Sequence, residues 1–161
     1  MIIGHFLNAY KAGGTDKVVV YKIKNWTNKN DKHILLCNSE FEKKSLLKKS
    51  LKNHAKIIFY DSNFLANLTH MSELKLQKLL YGLFYYPLFC YLLMPFEIKT
   101  IYNLFKPLKI DAIIINNGGW PAARVTRSAF FAAKLAKINK ILYIIHSLAK
   151  RKNPLIKVQE Q

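Results

Sequence analysis

Short apolar runs alternate along this chain with stretches of helical periodicity. That pattern predicts strand–helix units stacked around a parallel sheet. The runs cover residues 2–7, 33–37, 57–60, 112–115 and 140–145. Each ends on turn-forming polar residues: Asn8 and then Gly13-Gly14, Asn38-Ser39, Asp61-Ser62-Asn63, Asn116-Asn117-Gly118-Gly119, and His146-Ser147. Four to six residues of unbroken β-rich sequence suit strands buried on both faces.

The intervening segments differ in clarity. Residues 121–137 open on Pro121 and are rich in alanine, with Val125, Ala129, Ala133 and Ala136 on one face and Arg124, Arg127, Lys134 and Lys137 off it. This predicts a helix. Residues 15–26 are contested, since Val18-Val19-Val20-Tyr21 has strand propensity while Val19, Ile23 and Trp26 have helical spacing. Thr15 and Asp16 after a glycine turn favour a helix start. Residues 41–53 predict a basic amphipathic helix, apolar at Phe41, Leu47 and Leu51 and charged at Lys43, Lys44, Lys48, Lys49 and Lys52. Residues 72–105 predict one or two helices broken around Pro87 or Pro95.

Composition narrows the class. The chain has 161 residues and is 51% hydrophobic, too apolar for intrinsic disorder and about the length of one domain. Cys37 and Cys90 have neither metal nor redox spacing, which predicts reduced thiols in a cytoplasmic protein. No positive region precedes the apolar residues 2–7, so no secretion signal is expected. Residues 79–96 carry no charge and just reach the length of a membrane span. Pro87, Pro95 and four tyrosines suit a packed helix or a lipid-touching surface better.

Twenty-six Lys plus Arg against 9 Asp plus Glu give a net charge of +17. The only arginines are Arg124, Arg127 and Arg151. Lysine acts as a point charge where arginine forks read bases and clamp phosphates. The excess therefore reflects either a general compositional bias or a diffuse attraction to polyanions. An anionic membrane surface is the expected partner, through Lys43, Lys44, Lys48 and Lys49, and nucleic acid is not.

Candidate chemistry gathers at the carboxyl ends of the predicted strands, where open parallel sheets bind ligands. Gly13-Gly14-Thr15-Asp16 offers either an ordinary tight turn or an open backbone and a helix start suited to a phosphate. It lacks both the three-glycine dinucleotide fingerprint and the P-loop lysine. Asn116-Asn117-Gly118-Gly119-Trp120-Pro121 offers amides for a polyhydroxylated ligand, and Trp120 either stacks on a sugar or packs on the helix start. His146 ends the last strand, as a structural or a catalytic residue. His5, His33, His54 and His70 lack ligand spacing, so no metal site is expected. Asp16 and Asp61 read as a helix cap and a turn.

The ordered set of segments resembles the N-terminal half of family-4 glycosyltransferases, which have the GT-B fold. The resemblance rests on the first strand with Gly13-Gly14-Thr15-Asp16-Lys17-Val18-Val19, on Ile110-Asp111-Ala112 through Asn117-Gly118-Gly119-Trp120-Pro121 with Ala132-Ala133-Lys134-Leu135-Ala136, and on Tyr143-Ile144-Ile145-His146-Ser147-Leu148-Ala149. It implies a Rossmann-like three-layer α/β domain over residues 1–149, with a mostly parallel sheet of five or more strands and a basic tail at 150–161.

By the same resemblance, Gly13, Gly14 and Thr15 would approach the donor diphosphate and acceptor. Asn117, Gly118 and Gly119 would line the acceptor side, and His146 would stand beside the transferred sugar. The implied reaction is retaining transfer from a nucleotide-sugar, without metal or other cofactor, onto a glycan or lipid-linked acceptor in bacterial cell-surface glycan assembly. The family's donor-binding half has no counterpart within residues 1–161. The expectation is therefore a domain inactive alone, completed by a separate C-terminal domain chain, cytoplasmic and peripheral on the inner face of the cell membrane. The competing expectation is a non-catalytic membrane-surface or partner-binding domain.

Overall fold

The computed structural model describes residues 1–61, 86–117 and 124–146. Five strands, β1 (Ile2–Leu7), β2 (Lys32–Asn38), β3 (Lys56–Tyr60), β4 (Ala112–Asn117) and β5 (Lys140–Ile145), form one sheet in the order β3-β2-β1-β4-β5. Every neighbouring pair is parallel. Among the described residues four helices lie between the strands: α1 (Gly14–Lys24), α2 (Lys44–Leu51), α3 (Tyr86–Phe105) and α4 (Arg124–Leu135), with a 3-10 turn at Lys106–Leu108. This is the Rossmann-like three-layer α/β arrangement that the sequence predicts.

Strand alternation builds two cores. Leu7, Leu35 and Cys37 face α1 and α2, where Val19, Ile23, Leu47 and Leu51 close the first core. Phe6, Leu36, Ile113 and Ile115 face the opposite way, onto Ile101 and Phe105 of α3 and Val125, Ala129 and Ala133 of α4. Gly4 lets β1 pack closely on the chain entering β4, since a Cβ there would stand 3.0 Å from Ile110 Cδ1. Cys37 is a free, buried thiol, and burial pushes its pKa up to about 12.

Periodicity settles the contested segment. Val19 and Ile23 are buried one turn apart, while Tyr21 is 67% exposed, so the valine run forms α1. Pro95 does not break α3, which runs through it, while Pro87 stands in the first turn, where its missing N–H costs no helical hydrogen bond. Ile101 and Phe105 hold its far end in the core, and that packing outweighs the hydrogen bond a proline removes. Among the described residues, no helix is long and apolar enough to cross a membrane.

Candidate functional site

The sheet order reverses between β1 and β4. The connection after β1 leads to α1 on one face, and β4 leads to α4 on the other. In a doubly wound sheet the usual ligand position is the crevice outside the carboxyl ends of the strands at such a reversal, here those of β1 and β4. Asn8, Asn38, Asn116, Asn117 and His146 lie along this edge.

Buried amides must be hydrogen-bonded, and here they bond to one another and to the strand ends. Asn38 Nδ2 donates to Asn8 Oδ1 at 3.4 Å, and the Tyr60 hydroxyl donates to the same oxygen at 3.2 Å. Asn38 Oδ1 accepts the Glu40 N–H at 2.9 Å. Asn117 Nδ2 donates to the Tyr143 hydroxyl at 3.0 Å, which meets Thr126 Oγ1 at 2.6 Å. The Asn117 side chain is thus 1% exposed and tied toward α4.

Asn116 faces the other way. Its Nδ2 donates to the carbonyls of Ile114 at 3.2 Å and Phe6 at 3.4 Å. Those two acceptors orient the amide, leaving Oδ1 to face His146 Nε2 at 3.3 Å. Only a protonated Nε2 satisfies that oxygen, so the neutral imidazole carries its lone pair on Nδ1. Burial, and then the charge of Lys22 on α1, lower the His146 pKa below its ordinary 6.5. The His146 N–H donates to the Asn117 carbonyl at 2.9 Å, continuing the β4–β5 ladder by one residue. His146 is thereby held as a neutral acceptor at the mouth of the crevice.

Gly13 and Gly14 stand at the start of α1. Gly13 has φ −157°, an extended conformation open to any residue, and no described glycine has positive φ. A Cβ on Gly14 would meet nothing within 4 Å. The fold itself therefore demands neither glycine, and what they provide is bare backbone at a helix start. Asp16 Oδ1 accepts the Gly13 N–H at 2.6 Å, reaching back in the manner of a capping box. An incoming anion would meet the first-turn N–H groups of Gly14 and Thr15. Gly118, Gly119 and Trp120 lie outside the described residues.

Two of the histidines that the sequence scatters are brought together. His5 Nε2 lies 3.1 Å from His33 Nδ1 beneath Trp26, whose ring stands edge-on to both. His5 is fully buried and its Nδ1 has no hydrogen-bond partner. Burial first, then the His33 and Lys22 charges, lower the His5 pKa from 6.5 to about 3. Among the described residues, no three metal-capable side chains converge. Spacing along the chain carries no hint of this pair, which depends on the β1–β2 register.

The four expected surface lysines are exposed, Lys43 just before α2 and Lys44, Lys48 and Lys49 on it. Lys48 Nζ lies 5.3 Å from the centre of the Phe59 ring. The helix expected over 41–53 forms only at 44–51, and its apolar stripe is not available to a membrane, because Leu47 and Leu51, with Phe41 ahead of the helix, are buried in the core.

No protein-family model matches the sequence, and no curated protein does. Among solved structures, UDP-GlcNAc 2-epimerase from Neisseria meningitidis, bound to UDP-GlcNAc, is similar with a TM-score of 0.52 at 14% identity. The match covers 98% of this chain and 35% of that one, so the chain spans about a third of the length of this neighbour. The likeness is one of fold, Rossmann-like and of the GT-B-like kind.

Proposed function

We propose that this domain serves sugar-nucleotide chemistry as the acceptor side of a retaining glycosyltransferase acting in bacterial cell-surface glycan assembly. The observation that carries the reading is His146, at the end of β5, with its Nε2 facing Asn116 Oδ1 at the carboxyl edge of β4. A lone pair on Nδ1, aimed by a buried amide, suits the acceptance of a sugar hydroxyl hydrogen. In this reading His146 positions the sugar, and the amide-rich edge orients the acceptor glycan or lipid-linked glycan. The first turn of α1 offers N–H groups to the donor diphosphate, whose negative charge grows as the bond to the sugar breaks.

Backbone donors alone hold an anion weakly, because association must first offset several kcal/mol of lost freedom. The expected affinity of residues 1–161 for a nucleotide-sugar is therefore no tighter than about millimolar. Sugar transfer is expected only when a donor-binding C-terminal domain completes the cleft. The test is a titration of the 15N-labelled chain with UDP-GlcNAc and UDP-glucose, followed by amide shifts. Shifts confined to Asn8, Gly13, Gly14, Thr15, Asn116, Asn117 and His146 support the reading. Shifts centred elsewhere, none at tens of millimolar, or robust transfer by the chain alone overturn it.

A further inference from the structure

Thr15, Val18 and Lys22 are spaced three and four residues apart and share one flank of α1, beside the anchoring Val19 and Ile23. The strand register shows what this flank meets. Leu7 pairs with Asn116 and Asn116 with Ile144, so all three point to the α1 face of the sheet. Two residues back, His5, Ile114 and Leu142 form a second row on that face. His146 follows Ile144 by two residues and joins it. Leu142 is 53% exposed, so among the described residues no helix covers β5 on this side, whereas Phe130 of α4 meets Tyr143 on the other.

Among the described residues Lys22 has no carboxylate partner. The acids nearest to it along the chain are occupied: Asp16 accepts the Gly13 N–H, and Asp31 holds the N-terminal amine and the Trp26 indole. Lys22 is half-buried, and its charge acts both on His5 of β1 and on His146 beyond β5. β4 lies between those two strands, so the cation bears on the edge that holds Asn116. Cα–Cβ bonds on a helix tilt toward its N-terminus, which turns the Lys22 stem toward the carboxyl edge of the sheet. A cation partly withdrawn from water, beside two imidazoles that do not neutralise it, is left to an anion from outside the chain.

We propose that Lys22 is the anion-contacting residue of this edge, pairing with the phosphate of a ligand whose sugar lies against His146. The inference rests on the sugar-nucleotide reading for the sugar and on the placement of Lys22 for the phosphate. It adds to the glycine turn the cation that the turn lacks. The N–H groups of Gly14 and Thr15 are directed donors, while lysine is a point charge that holds a diphosphate without fixing its orientation. A charge-assisted hydrogen bond of this kind contributes about tenfold or more in affinity. Lys24, two residues on, lies on the outer flank beside Tyr21 and Lys17, and contributes only through the net charge.

The experiment titrates the 15N-labelled full chain and its Lys22→Gln, Lys22→Arg and Lys24→Gln variants with inorganic pyrophosphate and with UDP-GlcNAc at near-physiological salt, after circular dichroism confirms folding. Pyrophosphate should shift the amides of Gly14, Thr15 and His146. Lys22→Gln should weaken its binding about tenfold, Lys22→Arg should recover most of the loss, and Lys24→Gln should change it by no more than about twofold. Without any ligand, the His146 ring should titrate at higher pH in Lys22→Gln than in the parent, because a repelling charge has gone. Pyrophosphate binding that depends on Lys22, with no UDP-GlcNAc binding by the parent, would uphold the anion contact and refute the sugar-nucleotide reading. UDP-GlcNAc binding equal in the parent and Lys22→Gln would uphold that reading and overturn the role of Lys22. Equal pyrophosphate losses in Lys22→Gln and Lys24→Gln, no pyrophosphate shifts in the parent, or an unmoved His146 titration would overturn it as well.

Discussion

The buried histidine pair makes the stability of this domain acid-sensitive in a defined window. His5 has a folded-state pKa of about 3 against an ordinary 6.5. Between those values the unfolded chain binds a proton that the folded chain excludes, so stability rises with pH and is lost as pH falls below about 6.5. Each pH unit in the window removes about 1.4 kcal/mol, giving about 2 kcal/mol by pH 5 and about 3 kcal/mol by pH 4. His33, whose pKa burial also lowers, acts in the same direction. Domains are commonly stable by only about 5–15 kcal/mol, so this contribution alone approaches the lower end of that range. Urea unfolding at a series of pH values measures it, with His5→Leu as the comparison. The variant removes the titrating ring at nearly constant volume, and its stability near pH 7 should stay within about 1.5 kcal/mol of the parent. Its dependence on pH between 6.5 and 4 should be shallower by about 1.4 kcal/mol per unit. Identical slopes, or a His5 ring resonance titrating near pH 6.5 in the folded protein, would refute the reasoning.

Three further substitutions probe packing and the site. Gly4→Ala places a Cβ 3.0 Å from Ile110 Cδ1 and 3.2 Å from its Cγ2, and should destabilise by about 1–3 kcal/mol in chemical denaturation. Gly14→Ala meets open space at a backbone without positive φ, and should raise stability by about 0.5 kcal/mol; if the donor approaches this backbone, nucleotide-sugar shifts in the titration should shrink all the same. Ser128→Ala removes the hydroxyl that donates to the buried Glu97 carboxylate, with an expected loss of about 1–3 kcal/mol near neutral pH by thermal unfolding.

The sheet was legible because its central strands are buried on both faces, which writes them as unbroken apolar runs. The boundary of β4 was not. Asn116 and Asn117 extend it beyond the apolar run, pairing with Leu7 and Ile145 respectively. Polar residues enter a strand there because their amides bond to the Phe6 carbonyl and the Tyr143 hydroxyl, and those partners are distant in sequence. The same distance hid the His5–His33 contact, 28 residues apart and set by the β1–β2 pairing. The spacing on α2 identified Phe41, Leu47 and Leu51 as an apolar face, but an apolar face reads alike whether it meets lipid or a sheet. Only the packing of Leu47 and Leu51 against the core decides between them.

Helix α1 shows how much of the proposed function depends on one short segment. Its inward residues, Val19 and Ile23, fasten it to the sheet, fixing the height at which its first turn meets the carboxyl edge. Its first turn presents Gly14 and Thr15 beside that edge. Lys22 contributes to the lowered pKa of His146, so one flank of the helix is coupled to the crevice. Its outer flank carries Lys17, Tyr21 and Lys24 into a trough against α2. Tyr21→Ser should therefore leave the nucleotide-sugar shifts at Gly14 and His146 unchanged, because the substituted side chain does not belong to the crevice.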